Sequence, residues 1–446
     1  MSNRLDKKMG LICVGLEGER NDLAASFQEK AVAALKKTGL TVLNDNAHYT
    51  LTSEEVQRQT KECMEKGAAC IVYMTGTWVL AEHIVDAVKD IAVPVGIWGI
   101  PEPVSFSSVG ANVVHGILGE MNIPHQLFCG DPDAEDVLGE IDTFVSAAAI
   151  KKKLSCARLG MIGGRAISAY PTAADPNQIK KIFGTEVEHI DQLILLEKAR
   201  NIPADRCDSL ISSLRERFGA VTADPERLRR AASVYFALKE MIEEYQLDML
   251  TVKCIGEFMD HYCSCCLALM LLNDEGFVSG CQCNLNAMLS AYMHRQLSED
   301  PHFFGDVNVV LKEQSAARVI NCGSVPSRLA ADPKDVMLVD QYEYMGAGRG
   351  VCTFFCCKPG KVTFGTLGRV NGCYEMNLAS GEAYQESVEE MERVRTWAQG
   401  FIKLDCDPMK FYANLRCNHS VFGYGDYLPG LVKLCELYDI PVHLNR

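Results

Sequence analysis

The first 150 residues alternate between short apolar runs and longer segments in which apolar side chains recur at helical spacing. The runs GLICVGL, LTVLN, AACIVYMTG and VPVGIWG are predicted strands, and the segments between them are predicted helices. Strands that alternate with helices at this spacing form parallel sheets with right-handed crossovers. We therefore predict a doubly wound α/β domain over residues 1–152. It contains no G-x-G-x-x-G turn, so a dinucleotide fingerprint is absent.

The alternation continues, and residues 153–300 are predicted to form a second doubly wound domain. ARLGMIGGR reads as a strand that runs into a glycine turn, ERLRRAASVYFALKEMIEEYQ as a helix, and LDMLTVK as a strand. Ligands of such sheets bind beyond the carboxyl ends of the strands. This rule draws attention to Lys253 and Glu257, to Arg165 in the glycine turn, and to Trp78 in the first domain. For Arg165 an ordinary turn is the alternative, and for Trp78 a packing role.

The pattern changes beyond residue 300, where short β-type runs are separated by turns. RVINCGSVP, VCTFFCCKPG, KVTFGTLGRVNG and CYEMNLASG predict a β-sheet or barrel-like domain over 301–446. VEEMERVRTWAQGF is a predicted helix, and CNHSVFGYG is followed by a predicted helix LVKLCEL and a strand IPVHL. The fold class is therefore α/β, with two doubly wound domains before a β-rich C-terminal domain.

Length and charge narrow the class of protein. A chain of 446 residues exceeds one ordinary core, which favours two or three domains. The net charge of −14 argues against a nucleic-acid partner, because no extended basic face is available to neutralise phosphates. No run approaches the roughly 18 apolar residues that a membrane helix needs. MSNRLDKKMG leads into the first strand without a signal-peptide core, so we expect a cytoplasmic protein.

The chain has 20 cysteines, many of them after residue 253. Without an export signal, reduced thiols are the default. A metal–thiolate or iron–sulfur protein is one interpretation, but adjacent cysteines such as Cys356 and Cys357 point to opposite faces of a strand. We favour the alternative that these cysteines are small buried hydrophobic residues.

The stretch from Lys253 to Asp306 and the C-terminal runs resemble the L-fucose/L-arabinose isomerases, which are metal-dependent aldose–ketose isomerases. The likeness covers essentially the whole chain and its order of elements. It rests on the shared order of several motifs: KCIGEF at 253–258, LNDEG at 272–276, GCQCN at 280–284, FFGD at 303–306, CKPGKVTFGTLGR at 357–369 and CNHSVFGYGD at 417–426.

The resemblance implies two Rossmann-like domains, a β-rich third domain and a homo-oligomer, either a trimer or a hexamer. It also implies a divalent ion, Mn²⁺ in the first place, with Mg²⁺ and Co²⁺ as alternatives. The positions that match the family's metal ligands are Gln282, Asp306 and His419. We assign substrate binding to Asn284 and Asn418 within these motifs, and to Arg165 and Trp78 from their places after predicted strands.

Two departures from the family pattern change the predicted chemistry. The family motif has Glu and Asp where this chain has Gln282 and Asn284. Gln282 offers a neutral carbonyl oxygen to a metal, but it cannot abstract a proton. Asp306 remains as a ligand or base, and Glu257 is the best replacement for the lost acid–base partner. Lys253 is available to stabilise a developing alkoxide or an anionic group on the substrate. A structural Lys253–Glu257 ion pair and a core role for His419 are the alternatives.

The chemistry implied by the resemblance is an enediol proton transfer that moves a carbonyl between C1 and C2 of a sugar. Two amides in one motif suggest an altered substrate, and a sugar that carries its own negative charge would suit a less acidic site. We predict an aldose–ketose isomerase acting on a free or derivatised monosaccharide. The alternative is a non-catalytic sugar-binding relative that keeps the pocket.

Overall fold

The computed structural model describes residues 5–45, 49–89, 91–341, 349–394 and 396–445. These residues divide into two compact units, one up to residue 153 and one from residue 154 onwards. The fold is mixed α/β with parallel sheets and a β-rich C-terminal region, as the sequence predicts. The further division into domains 153–300 and 301–446 stays a prediction. Within the described ranges, no helix has the length and apolar character to cross a membrane.

The first unit is built around one parallel sheet with helices between its strands. The helices are α1 (Asn21–Lys37), α2 (Ser53–Glu65), α3 (Ala81–Val88), α4 (Ser107–Glu120) and α5 (Glu135–Cys156). The strands are β1 (Lys8–Val14), β2 (Thr41–Leu43), β3 (Cys70–Thr75), β4 (Val95–Gly99) and β5 (His125–Cys129). Their order in the sheet is β2-β1-β3-β4-β5. The central strands are buried on both faces, which explains why they read as continuous apolar runs.

The first part of the second unit, up to residue 297, contains a smaller parallel sheet of four strands. Its helices are α6 (Pro176–Phe183), α7 (Gln192–Asn201), α8 (Ala204–Arg217), α9 (Pro225–Tyr245), α10 (Glu257–His261), α11 (Cys266–Asp274) and α12 (Leu285–Leu297). Its strands are β6 (Arg158–Ile162), β7 (Glu186–Ile190), β8 (Ala220–Val221), β9 (Met249–Val252) and β10 (Val278–Cys281). The sheet order is β10-β9-β6-β7, so the three strands that end near residues 163, 253 and 282 are neighbours.

The C-terminal region is mostly β-structure. Its strands are β11 (Phe303–Leu311), β12 (Ala316–Asn321), β13 (Met337–Asp340), β14 (Val351–Phe354), β15 (Gly360–Val370), β16 (Cys373–Tyr384), β17 (Ala398–Leu404), β18 (His419–Tyr424) and β19 (Val442–Leu444). Its helices are α13 (Val388–Glu392), α14 (Pro408–Ala413) and α15 (Leu428–Leu437). Strands β15, β18, β11, β12, β17 and β16 pair in this order, and β16 pairs again with β15. The sheet is thus closed into a barrel.

The predicted helix over VEEMERVRTWAQGF is wrong in its second half. Helix α13 ends at Glu392, and Ala398 begins β17, which pairs with β12 on one side and β16 on the other. The apolar side chains at 398, 401 and 402 are buried on the two faces of this strand. Strand pairing with residues distant in sequence therefore outweighs the local helical spacing.

The cysteines pack as the favoured interpretation predicts. All 20 are free, and 14 of them are buried. Within the described ranges, no group of three or more His, Cys, Asp and Glu side chains is placed to hold a metal ion. The metal–thiolate interpretation therefore has no support in the geometry.

Candidate active site

The candidate site lies where the carboxyl ends of β10, β9 and β6 meet the barrel strands β11 and β18. Val252 is the register partner of Cys281, so Lys253 and Gln282 follow neighbouring strand ends. Neighbouring strands lie about 5 Å apart, which brings the two backbones side by side. The amide of Lys253 in turn donates to Ile162 O, and Gly163 follows Ile162. Residues far apart in sequence are thereby gathered at one sheet edge, where α/β folds bind ligands.

The turn from β10 into α12 has an uncommon backbone conformation. Gln282 and Cys283 have φ angles of 64° and 49°, and non-glycine residues rarely occupy this left-handed region. The surroundings hold the turn in place: the amide of Gln282 donates to Val252 O at 2.8 Å, and Cys283 Sγ lies 3.3 Å from Ile162 O. Such conformations cluster at functional sites.

Asp306 and His419 are direct neighbours on two adjacent strands of the barrel. They are register partners in the antiparallel pairing of β11 with β18, so their side chains project from the same face. His419 Nε2 lies 4.0 Å from Asp306 Oδ1. The imidazole is only 1% exposed and packs on the Phe304 ring at 4.1 Å between centroids, whereas the Asp306 side chain is 48% exposed.

Asn418 joins the predicted site residues into one group. Its Nδ2 atom lies 3.3 Å from Gln282 Oε1, 3.4 Å from Asp306 Oδ1, and 3.3 and 3.5 Å from the two ring nitrogens of His419. The structure therefore brings together Gln282, Asp306, Asn418 and His419, which are spread over 138 residues of sequence. Asn418 itself is exposed, so a ligand reaches this group from its side.

Asn284 lies beneath this group and is completely buried. It is the N-cap of α12, where its Oδ1 accepts from the amide of Ala287 at 3.1 Å. Its Nδ2 lies 2.9 Å from both Cys417 Sγ and His419 Nδ1. The side chain thus contacts the far edge of the His419 ring. The predicted contact of Asn284 with substrate stays a prediction.

The surroundings move the pKa values of Asp306 and His419 in opposite senses. Burial raises the pKa of the Asp306 carboxyl to about 7, although the open side of the pocket leaves half of this side chain reachable by water. Burial lowers the pKa of His419 to about 3. The histidine is therefore neutral near neutral pH, while Asp306 can both take up and release a proton there.

The raised pKa predicts that Asp306→Asn stabilises the protein against unfolding above pH 7. An aspartate of the unfolded chain titrates near 3.9, so ionising Asp306 in the folded state costs stability that grows from about pH 4 to pH 7 and then stays constant. The full pKa shift would correspond to a difference of about 4 kcal/mol in the free energy of unfolding between Asp306→Asn and the wild type. Because the Asp306 side chain is half exposed, we expect a difference of about 1–2 kcal/mol. Urea unfolding at pH 5 and pH 8 measures this difference. An equal change in the free energy of unfolding at both pH values would contradict the raised pKa of Asp306.

A second polar cluster lies one strand away. Lys253 Nζ lies 2.7 Å from Glu257, and Gln192 donates to the carbonyl of Lys253. The ammonium lowers the pKa of the Glu257 carboxyl. Glu257 is 65% exposed, so this ion pair is weak and can open for a ligand. An open cavity of about 580 Å³ adjoins the pair and is lined by Gly163, Gly164, His189, Ile190, Asp191, Gln192, Lys253 and Glu257.

The two remaining predicted residues lie in loops after strands. Arg165 is exposed in the loop after β6, where its guanidinium stacks on the Tyr170 ring at 3.9 Å. It therefore belongs to the same carboxyl edge as Lys253. Trp78 lies in the first unit, where it follows β3 and its amide donates to Ser105 O. Its part in the pocket stays a prediction.

Comparison with known proteins supports the family that the sequence motifs predict. Residues 319–445 match the family described as L-fucose isomerase, C-terminal domain. The sulfoquinovose isomerase of Alkalicoccus urumqiensis is 24% identical over 321 residues, which cover 70% of this chain and 72% of that protein. The protein of the same name from Priestia aryabhattai is 20% identical, over 69% and 71% of the two chains. These matches support a divergent member of the L-fucose isomerase family. The chain is an enzyme of the aldose–ketose isomerase class.

The donor set does not fit the divalent ion that the family resemblance implies. The expected ligands, Gln282, Asp306 and His419, do surround one point, but that point lies beside the Asn418 amide nitrogen. Asp306 supplies the only negative charge among these three, and manganese and magnesium sites favour several charged oxygen ligands. The metal stays a prediction that rests on the resemblance, and the proposed isomerisation does not depend on it.

Two residues outside the predicted set support this site. Phe304 forms the surface on which His419 packs, and Gln192 holds the backbone of Lys253. Both have a signal in the sequence, because Phe304 lies two residues before Asp306 in the FFGD motif and Gln192 closely follows strand β7 at the carboxyl edge of the sheet. His294 lies apart from the group around Asn418 in its contacts and is buried between Tyr427 and Gly365 O.

Proposed function

We propose that this isomerase converts a sulfonated aldohexose of the sulfoquinovose type into the corresponding ketose. The observation that carries the proposal is the position of the Asp306 carboxyl group, which lies 3.4 Å from the Asn418 amide nitrogen and 4.0 Å from His419. Burial at this position raises the pKa of the carboxyl to about 7. A carboxylate with this pKa suits a group that must accept and return a proton within one turnover.

The reaction needs one proton to move between adjacent carbons. Asp306 takes the proton from C2 of the open-chain aldose while O1 gains a proton, which gives an enediol. Asp306 then returns its proton to C1 on the same face while the O2 hydroxyl loses its proton, so the carbonyl ends at C2 and one proton has passed from O2 to O1. A single carboxylate can therefore serve as base and acid, so the loss of a second carboxylate at Gln282 does not prevent catalysis. Donors that face the developing oxygen negative charge lower the barrier. Asn418 is the exposed donor next to Asp306.

The charge distribution of the site supports an anionic substrate. Two positions with carboxylates in the family pattern are neutral amides here, Gln282 and Asn284. Lys253 lies one strand from Gln282, and Arg165 occupies the adjoining loop. Lys253 shares the cavity with the carboxylates of Asp191 and Glu257, but Asp191 is engaged in capping α7. We therefore assign the sulfonate to Lys253, which exchanges its exposed partner Glu257 for the substrate.

Lys253→Met is expected to raise KM for the sulfonated sugar about tenfold to hundredfold. A hydrogen bond to a charged group contributes about 1.5–3 kcal/mol, which corresponds to this range. The measurement is the initial rate of isomerisation over a range of sulfonated sugar, with a neutral aldohexose as the second substrate. Lys253→Met should leave the neutral sugar unaffected.

The matched control for this experiment is Glu257→Gln, which removes the partner of Lys253 but keeps the cation. It should leave KM unchanged or lower it slightly. If Lys253→Met reduces turnover of neutral and sulfonated sugars alike, Lys253 stabilises the developing alkoxide instead of the sulfonate. If the wild-type enzyme prefers neutral sugars, the substrate assignment is wrong.

A further inference from the structure

We infer that Asn284 fixes His419 in the tautomer that carries its proton on Nε2, so that His419 is a hydrogen-bond donor beside Asp306 and not a metal ligand. This inference deepens the proposed function, because it specifies how the site of that isomerase works without relying on a metal-bound histidine. Asn284 is the positioning residue, and it acts through His419.

The orientation of the Asn284 amide is set by the helix that it caps. Its Oδ1 accepts from the backbone amide of Ala287, and only an oxygen can occupy that position. The NH₂ group must then face Cys417 Sγ and His419 Nδ1, both at 2.9 Å. Its two hydrogens have two acceptors, so the assignment is consistent at every contact.

This orientation determines the tautomer of the imidazole. An NH₂ group only donates, so His419 Nδ1 must accept and has no proton of its own. In a neutral ring the proton then resides on Nε2. Nε2 is the nitrogen that lies 4.0 Å from Asp306 Oδ1. A metal at this point would need the Nε2 lone pair, which this tautomer does not offer.

A carboxylate at position 284 would give the opposite result. Metal-bound histidines usually donate their other N–H to a carboxylate or carbonyl, which leaves the second nitrogen free to bind the ion. Aspartate can cap α12 as well as asparagine, so the fold would tolerate it. The difference between NH₂ and oxygen at one buried side chain thus selects between a metal-binding histidine and a donor histidine.

The donor tautomer is suited to enediol chemistry. A carboxylate base next to a neutral histidine that donates a hydrogen bond is the pairing used by triosephosphate isomerase. Here the Asn418 NH₂ group lies 3.4 Å from Asp306 Oδ1, and His419 Nε2 lies 4.0 Å from the same oxygen and 3.5 Å from the Asn418 amide nitrogen. His419 is only 1% exposed, so it acts from behind Asn418 and positions the site.

The experiment is a Mn²⁺ titration of four proteins, followed by electron paramagnetic resonance of free Mn²⁺. They are the wild type, Asn284→Asp, the double variant Gln282→Glu/Asn284→Asp, and Asn308→Asp. The last is the matched control, because Asn308 lies on the same strand as Asp306 and contacts Arg318 instead of His419. We expect Mn²⁺ affinity at least tenfold higher for Asn284→Asp than for the wild type, higher still for the double variant, and unchanged for Asn308→Asp.

Nitrogen-15 NMR of histidine-labelled protein measures the tautomer directly, with His419→Gln used to assign the signal. We expect protonated Nε2 and unprotonated Nδ1 in the wild type, and the reverse in Asn284→Asp. A wild-type His419 protonated on Nδ1 overturns the inference, as does stoichiometric Mn²⁺ binding by the wild type with no gain from Asn284→Asp. If that variant does not fold, the wild-type spectrum alone decides. Neither readout involves turnover, so a wrong substrate assignment leaves both unchanged.

Discussion

Asp306→Asn is expected to slow isomerisation by about 10²–10⁴-fold, the range that a positioned acid–base group contributes. The Asp306 carboxyl is the one carboxylate in the group formed with Gln282, Asn418 and His419, and Gln282 cannot replace it. Asparagine has the same shape and still accepts from Asn418, so substrate affinity should change little. The measurement is kcat with a sulfonated aldohexose, combined with thermal stabilisation by the sugar.

The control for this variant is Asp300→Asn. Asp300 pairs with Lys358 at 2.8 Å, and both side chains are partly exposed. The Asp300→Asn variant removes the same charge a few residues earlier in the chain. Its activity should stay within about twofold of the wild type, because Asp300 is not part of the group formed by Gln282, Asp306, Asn418 and His419. Retention of most activity by Asp306→Asn would assign the proton transfer to another residue, with Glu257 as the next candidate.

The pH dependence of kcat/KM is expected to follow the ionisation of Asp306. The folded protein raises the pKa of this carboxyl to about 7, and only the ionised form can take a proton from carbon. The rate should therefore be constant above pH 7 and fall about tenfold per pH unit below it. His419 stays neutral across this range, since burial lowers its pKa to about 3.

A profile that is flat between pH 5 and pH 8 would contradict this assignment. The profile should be measured with a sugar whose own charge does not change in this range, and a sulfonate meets that condition. Lys253→Met serves as the control, because it should lower kcat/KM for the sulfonated sugar without moving the pH at which the rate falls.

Most strands and helices can be predicted from local sequence patterns, but the closure of the C-terminal sheet into a barrel cannot. The parallel strands that end near Gly163 and Lys253 are readable because their two-sided burial gives continuous apolar runs. The barrel depends on register between distant strands such as β15 and β16, which no local window reports. The same limitation explains the error after Glu392, where the apolar spacing predicts a helix but the chain forms a strand of the closed sheet.

In the candidate site, too, some features can be predicted from the sequence and others cannot. Asp306, Asn418 and His419 are found from the FFGD and CNHSVFGYGD motifs that carry the resemblance, with Asp306 inside β11, Asn418 directly before β18 and His419 at its start. The contact of Asn284 with His419 joins residues 135 positions apart and depends on which way one amide faces. No sequence pattern states that orientation. It becomes evident only when the helix cap and the ring are seen together.

The most direct test of Asp306 as the proton-transfer group is incorporation of deuterium from D₂O into sulfonated and neutral aldoses and ketoses by the wild type and by Asp306→Asn. We expect the wild type to exchange hydrogen at C1 and C2 of the sulfonated sugar, and Asp306→Asn to lose this exchange while still being stabilised by the sugar. Binding of sugars by the wild type without any exchange would contradict this role and would identify a pocket that binds without reacting.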